Sequence, residues 1–531
     1  MAAPPGFDKW YRYAIDRNSS VIDDFDSIMR DLRPFESLTP ILLRQRTAEA
    51  RQDPFNDVSA IIIRNGKAMA HPDVRDTHRW MMEGVISMIS RFEEFLPDMD
   101  LAFNTNDEPR VITKAGGQPG KLIPAADSQL RKSPADILKI SRSYYSKDRA
   151  ASWGDQLPIE RGVFEHLSFQ NVFYSFGVYA CSRQSKTRYL WDHSQLCSSC
   201  MTPHSDGVFL RDWKLSNEPC HQPDLAMLHG LYSSPAAFKG THDLFPIFSQ
   251  SKAPHFDDIL YPSAWNYQDK AVYAPSLENP DPPFPNKNAT LFWRGSTTEG
   301  VSPGSGVWTG FARQRFHQIL NSLSSAPAFV LLPTNPTTWH HTYLTPSALH
   351  SHLPADMKFI DPIQRCGEPD CTRQAADLGP LVGPSDFQSH WSYKYLLDLD
   401  GAGFSGRFLP FLYSRSLPFK AALFREWYDD RLRAWTHFVP LDLRGTGLWA
   451  TLLYFAGWRG VGAHEVEGER IAEEGRRWAG KVLRKEDMEI YMFRLLLEWG
   501  RLTDDAREEM GLSLEEARRI EQAWEREGWS G

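Results

Sequence analysis

The chain has 531 residues, 41% of them hydrophobic, and a formal net charge of −8. That length and apolar content allow two to four domains with packed cores. The acidic balance argues against nucleic acid as the main partner, and no apolar run reaches the roughly 18 residues that a membrane-spanning helix needs.

The opening stretch, MAAPPGFDKWYRYAIDRNSS, lacks the basic and apolar regions of a secretory signal as written. Residues 7–34 read as a helical region, with Trp10, Ile15, Val21, Phe25, Ile28 and Leu32 at roughly helical spacing. A second helix is expected over about 78–95, closed by Pro97. A short strand, DMDLAFN, follows and runs into a polar turn that carries Asp107 and Glu108 ahead of Pro109. The middle third is loop-rich and aromatic. Five prolines then interrupt residues 275–288, and beyond them the texture becomes alternating α/β. ATLFWRGS, PAFVLLP, MKFID, SYKYLLDLDG and SLPFKAAL read as strands, with helices at GVWTGFARQRFHQILNSL and RFLPFLYS. That alternation predicts a parallel, doubly wound sheet. From Glu467 to Arg501 the chain is charged and helical, and MEIYMFRLLLEW supplies its buried stripe.

The six cysteines are compatible with disulfides or with a metal site. Cys197, Cys200, His204, Cys220 and His221 match no standard zinc spacing, so zinc is the lesser reading. Cys366 and Cys371 bracket GEPD as a disulfide-closed loop would. With two glycosylation sequons, at Asn18 and Asn288, these features lean towards an oxidising compartment.

Two strand ends carry anion-binding chemistry. Arg294-Gly295-Ser296 offers a cation, a flexible backbone and a hydroxyl. Gly401-Ala402-Gly403-Phe404-Ser405-Gly406 spells the dinucleotide fingerprint and is followed by Arg407. An NAD site would place those glycines in the first βαβ unit, with a carboxylate ending the next strand, and neither condition holds here. Three readings remain for the turn: a diphosphate cradle gripped by arginine, which leads, an NAD site, and a structural turn in which the glycines only permit tight packing. Asp107 is a candidate general base at a strand end, with an ordinary solvated or capping Asp as the bland alternative and Glu108 as its competitor. His437 reads as a packed histidine.

Five stretches, DMDLAFNTNDEPRV, FDDILYPS, LFWRGSTTEG, KYLLDLDGAGFSGRFLPFLYSRSLPFK and REWYDDRLRAWTHFVPLD, together resemble the capsule-associated and protein O-glucosyltransferase group, glycosyltransferase family ninety, in its fungal branch. The resemblance implies an α/β, GT-B-like enzyme with two Rossmann-type domains facing a cleft. Residues 1–285 would carry the acceptor and base, 286–455 the nucleotide sugar, and 456–531 a helical segment packing back on the first domain. It implies inverting transfer of glucose or xylose from a UDP-sugar to a glycan or protein hydroxyl, with Asp107 as base. Arg294, Gly295, Ser296, Gly403, Ser405 and Arg407 would hold the donor. No metal or other cofactor is required, because arginines meet the leaving charge, and Asp398-Leu399-Asp400 is read as a strand edge rather than a metal motif. A non-catalytic sugar-nucleotide or glycan-binding relative is the alternative. The resemblance also implies the secretory lumen, reached through a signal or anchor that the opening residues do not display.

Overall fold

The computed structural model describes residues 3–114, 140, 142–147, 153, 162–189, 196–322, 326–335 and 338–526. Its framework is two five-stranded sheets. In the first, the strands run in the order Lys67–Ala70, Val58–Arg64, Met99–Asn104, Ile247–Ser249 and Ile259–Leu260. Met99–Asn104 is antiparallel to Val58–Arg64 and parallel to Ile247–Ser249. All six of its residues are buried, as expected of a strand covered on both faces. This sheet is mixed, whereas a Rossmann-type domain would be wholly parallel. The difference arises because Val58–Arg64 and Lys67–Ala70 form a hairpin, turned by Asn65 and Gly66, both at positive φ.

The second sheet is wholly parallel. Its order is Ala355–Phe359, Asn288–Gly295, Tyr393–Leu399, Leu417–Ala421 and Val439–Pro440. Ranked by chain position these strands run 2-1-3-4-5, a doubly wound order. The order reverses between Asn288–Gly295 and Tyr393–Leu399, so the carboxyl ends of those two strands flank the crevice where such sheets bind ligands.

The structure differs from the sequence expectations in three elements. PAFVLLP does not join the parallel sheet. Ala328–Asn335 pairs antiparallel with Thr338–Leu344 as a separate hairpin, which buries Val330 and Leu332 on the second sheet's core while its second strand has no fully buried residue. The opening region is two helices, Phe7–Asp16 and Asp26–Leu32, parted at Asn18, which takes the left-handed conformation. The C-terminal stretch is also two helices, Glu465–Val482 and Lys485–Leu502. The second starts at a capping box in which Asp487 accepts from the Arg484 backbone N–H.

Lys485–Leu502 is buried almost throughout and packs on the first sheet's side of the molecule. Trp10 Nε1 donates to the Ile490 carbonyl at 2.9 Å, the Tyr13 hydroxyl bonds Glu489 at 2.7 Å, and Phe92 stacks on Phe493 with centroids 4.6 Å apart. The thiols that a zinc site would need are spent in disulfides, Cys197 with Cys200 and Cys220 with Cys181. His204 is held instead by Asp442 and Gln222. Cys366 and Cys371 close their loop as the spacing suggests. Among the described residues, no helix is long and apolar enough to cross a membrane.

Candidate functional site

The glycine turn leaves the carboxyl end of Tyr393–Leu399, and its glycines are explained by what they touch. A Cβ on Gly403 would lie 3.0 Å from the Asp107 carbonyl oxygen and 3.2 Å from the Asp107 Cβ. One on Gly406 would lie 2.5 Å from the Trp265 indole. Both contacts cross from the second sheet's loops to the segments that extend the first. Asn266 Nδ2 adds a bond to the Gly406 carbonyl at 3.2 Å. The missing side chains therefore let two backbones meet, and that meeting brings Asp107 to the crevice.

Asp107 is exposed and its carboxylate makes no hydrogen bond to the described residues. Protein nevertheless crowds it. Burial pushes its carboxyl pKa up, and the charges of Arg365, Arg313 and His78, in that order, pull it back. Glu108 is different. It is 1% exposed, and its Oε1 accepts from the backbone N–H groups of Ala236 and Ala237, both at 2.9 Å. Of the two carboxylates, only Asp107 is at liberty to take a proton from a ligand.

Two guanidinium groups meet beneath the glycine turn. Arg407 donates to the carbonyl oxygens of Arg294 and Leu399 and approaches Ser405 Oγ at 3.5 Å. Arg313 donates to the carbonyls of Asp400 (2.6 Å) and Ser296 (2.8 Å) and to Thr298 Oγ1 (3.1 Å). Both cations flank Trp293, at 5.5 and 5.7 Å from its ring centroid. Burial, followed by repulsion from Arg407, brings Arg313 down to about 10; burial lowers Arg407 as well, against the pull of Asp398. Among the described residues neither arginine forms an ion pair. Two repelling cations held by carbonyls make an anion-seeking site.

The other expected residues lie around this pair. Arg294 presents its backbone to the site, while its side chain forms an ion pair with Asp356 at 2.6 Å and rests over Phe292. Gly295 leaves room for the Trp293 indole, which a Cβ would meet at 2.6 Å, and Ser296 contributes its carbonyl to Arg313. Ser405 is buried and donates to Asp398, which Lys420 also contacts at 3.3 Å. Asp400 accepts from the backbone N–H groups of Leu423 and Phe424. Both carboxylates of the Asp-Leu-Asp run are thus buried and bonded within the fold. The helix after the turn, Phe408–Tyr413, has only six residues, so arginines rather than a long helix supply the positive field. His437 is a packed histidine: its Nδ1 accepts from the Arg433 N–H and its ring stacks on Trp478. Arg313 and Trp265 touch the glycine turn, and the strand-end motifs did not reveal them.

The model of Glycosyl transferase family 90 matches residues 368–511, a segment that holds Gly403, Ser405 and Arg407. Protein O-glucosyltransferase 1 of Homo sapiens is 25% identical over 297 residues, covering 52% of this chain and 63% of that protein. O-glucosyltransferase rumi of Drosophila pseudoobscura pseudoobscura is 30% identical over 125 residues, covering 23% and 29%. A rumi homolog of Aedes aegypti is 31% identical over 118 residues, 22% of this chain and 28% of that protein. The chain thus spans less than two thirds of the length of the relatives it matches. Through residues 368–511, the chain resembles glycosyl transferase family 90.

Proposed function

We propose that the protein is an inverting glycosyltransferase that moves glucose or xylose from a UDP-sugar to a hydroxyl of a glycan or protein. The observation that carries this reading is the pair of carbonyl-held guanidiniums, Arg313 and Arg407, at the switch point of a parallel sheet, with the backbone and Cβ of Asp107 against the same turn. In this reading the diphosphate lies over Arg407, Arg313 and the turns at Gly295-Ser296 and Gly403-Ser405. Asp107 takes the proton of the acceptor hydroxyl as its oxygen attacks C1 from the face opposite the nucleotide. The C1–diphosphate bond breaks, and its electron pair leaves with UDP. Preorganised donors facing that growing charge contribute a few kcal/mol each, and with two cations in place no metal is needed there. In this reading the molecule works as a GT-B-like pair of units, residues 1–285 with the base and 286–455 with the donor, braced by 456–531. The three disulfides suit a secretory lumen.

The direct test is a donor screen on purified protein. UDP should raise the melting temperature where NAD does not, and hydrolysis or transfer should appear with one of UDP-glucose, UDP-xylose or UDP-galactose. A ligand at a hundred times its Kd stabilises by about 2.7 kcal/mol, a shift that is easily read. Absence of any UDP response would end this reading, whereas UDP binding without turnover would leave a sugar-nucleotide-binding relative.

The close approach at Gly403 has its own consequence. Gly403→Ala inserts a methyl group 3.0 Å from the Asp107 carbonyl oxygen, so one backbone must yield by a few tenths of an ångström. Transfer should fall about tenfold, because small displacements of a base are costly, with only a modest loss of melting temperature. Unchanged transfer would mean that Asp107 does not depend on this contact.

A further inference from the structure

We infer that the cavity in the seam between residues 26–34, 252–260 and 425–430 is a binding site for a sugar ring, held by Trp427, Asp429 and Arg425. The site stands on its own atoms, and only the source of the sugar draws on the transferase reading.

The cavity measures about 300 Å³, the scale of small-ligand pockets, which run to roughly 300–1,000 Å³. Its walls come from segments far apart in the chain. The helix Asp26–Leu32 supplies one side, the loop leading into Ile259–Leu260 a second, and the segment beyond Leu417–Ala421 a third. Two backbone bonds sew the last two together. The Lys252 N–H donates to the Arg425 carbonyl at 3.1 Å, and the Arg425 N–H to the Lys252 carbonyl at 2.8 Å. The space is built into the fold.

Most of the charge on these walls is already answered. Asp430 pairs with Arg30 and with Lys214 (2.6 Å), and Asp31 pairs with Lys252 (2.8 Å). Asp257 accepts from the Thr113 N–H and hydroxyl, and Glu426 from the Tyr428 hydroxyl at 2.5 Å. Lining cations and acids nearly balance, so no strong excess of either sign invites a free ion.

Three groups are left over. The Trp427 indole N–H and Asp429 Oδ2 are buried without a hydrogen-bond partner among the described residues, in residues 2% and 6% exposed. Arg425 forms no ion pair among the described residues; its guanidinium bonds the Lys214 carbonyl at 3.3 Å and lies over Trp213. A buried donor and a buried acceptor left unanswered are costly, and they call for a ligand that answers both. A hydroxyl donates and accepts, so neighbouring hydroxyls of one molecule can serve the indole, the carboxylate and the guanidinium together. Phe256, Leu260 and Ala253 add buried apolar surface to the same walls. A neutral ligand with several hydroxyls and an apolar face is a sugar ring.

Side chains connect this cavity to the glycine turn. Glu426 lies 3.9 Å from Lys420, and Lys420 lies 3.3 Å from Asp398. Asp398 accepts from Ser405, whose Oγ is 3.5 Å from Arg407. The sugar can thus belong to the nucleotide sugar or to the acceptor glycan.

The test uses the full chain, with methyl glucoside and methyl xyloside as probes, read by saturation-transfer NMR and calorimetry. One of them should bind, with a Kd in the millimolar range. Trp427→Phe keeps an aromatic ring and removes the N–H, and should weaken that binding roughly threefold to tenfold. Asp429→Ala should weaken it roughly tenfold to a hundredfold, since the lost bond is charge-assisted. Both variants should keep the melting-temperature shift caused by UDP, which carries no sugar to place here. Arg425→Gln, on the part-exposed wall, gives the same readout where a buried change harms folding. A probe that competes with UDP-glucose and not with UDP marks the site as the donor's. A probe that binds equally well beside UDP-glucose marks it as the acceptor's. Absence of binding by either probe, as in a cavity filled by water alone, would overturn the inference. So would binding that all three variants leave unchanged. UDP binding without probe binding would spare the transferase reading, and probe binding without a UDP response would spare only the sugar site.

Discussion

Asp107→Asn should abolish most transfer while leaving the protein folded and able to bind UDP. The amide preserves shape but cannot take a proton, and general-base catalysis typically contributes about 10²–10⁴ in rate. Stability should stay level or rise. A carboxyl whose folded pKa lies above its unfolded value loses stability as pH climbs through that interval, and at neutral pH the asparagine is spared that loss. Glu108→Gln should behave in the opposite way. Its carboxylate caps the N–H groups of Ala236 and Ala237 in a buried setting, so the neutral amide weakens two charge-assisted bonds. Burial raises the Glu108 pKa too, which favours a neutral group there and offsets part of that loss, so a drop of no more than about 1–3 kcal/mol is expected, with transfer per folded molecule retained. Melting curves and initial rates on both variants separate the roles. If Asp107→Asn transferred at the native rate, the proposed mechanism would fall, although the resemblance to the family would stand.

Much of the second sheet was readable from sequence because its strands are short apolar runs between turn residues, and their alternation with helices permits few topologies. Tyr393–Leu399 and Leu417–Ala421 are buried on both faces and read as such. The pairing of Ala328–Asn335 with Thr338–Leu344 misled because PAFVLLP has a core strand's composition and does bury Val330 and Leu332, while only its partner TWHHTYL, partly exposed throughout, shows that the pair stands apart from the parallel sheet. In the site, the motifs at Arg294 and Gly401–Arg407 lie where strand ends must lie, so local spelling sufficed to find them. Why the glycines are required was not local. It depends on Asp107 and Trp265, about 300 and 140 residues away in the chain, which no spacing rule connects to them. Arg313 did leave a trace: it shares a helical face with Phe316, His317 and Leu320, all buried, and a cation on an apolar stripe must be paired or serve a ligand.

The second large effect is expected at Arg407. Arg407→Ala removes one of the two guanidiniums beside Trp293 and, with it, the bonds to the Arg294 and Leu399 carbonyls that tie the two strand ends together. A charge-assisted hydrogen bond is worth about 1.5–3 kcal/mol, so UDP affinity and kcat/KM should fall by roughly tenfold to a hundredfold. Loss of the tie could lower affinity by loosening the crevice alone, and Arg407→Lys distinguishes the two causes. An ammonium keeps the charge but cannot reproduce the planar fork that reaches two carbonyls and a phosphate together, so rescue should be partial. Relief of the repulsion between Arg407 and Arg313 works the other way on stability: the alanine variant without ligand should melt no more than slightly lower than the native protein. The gap should then open on adding UDP, which stabilises the native protein more. Equal UDP-induced shifts in the native protein and Arg407→Ala would assign this arginine to the architecture of the strand ends and leave Arg313 as the cation that meets the diphosphate.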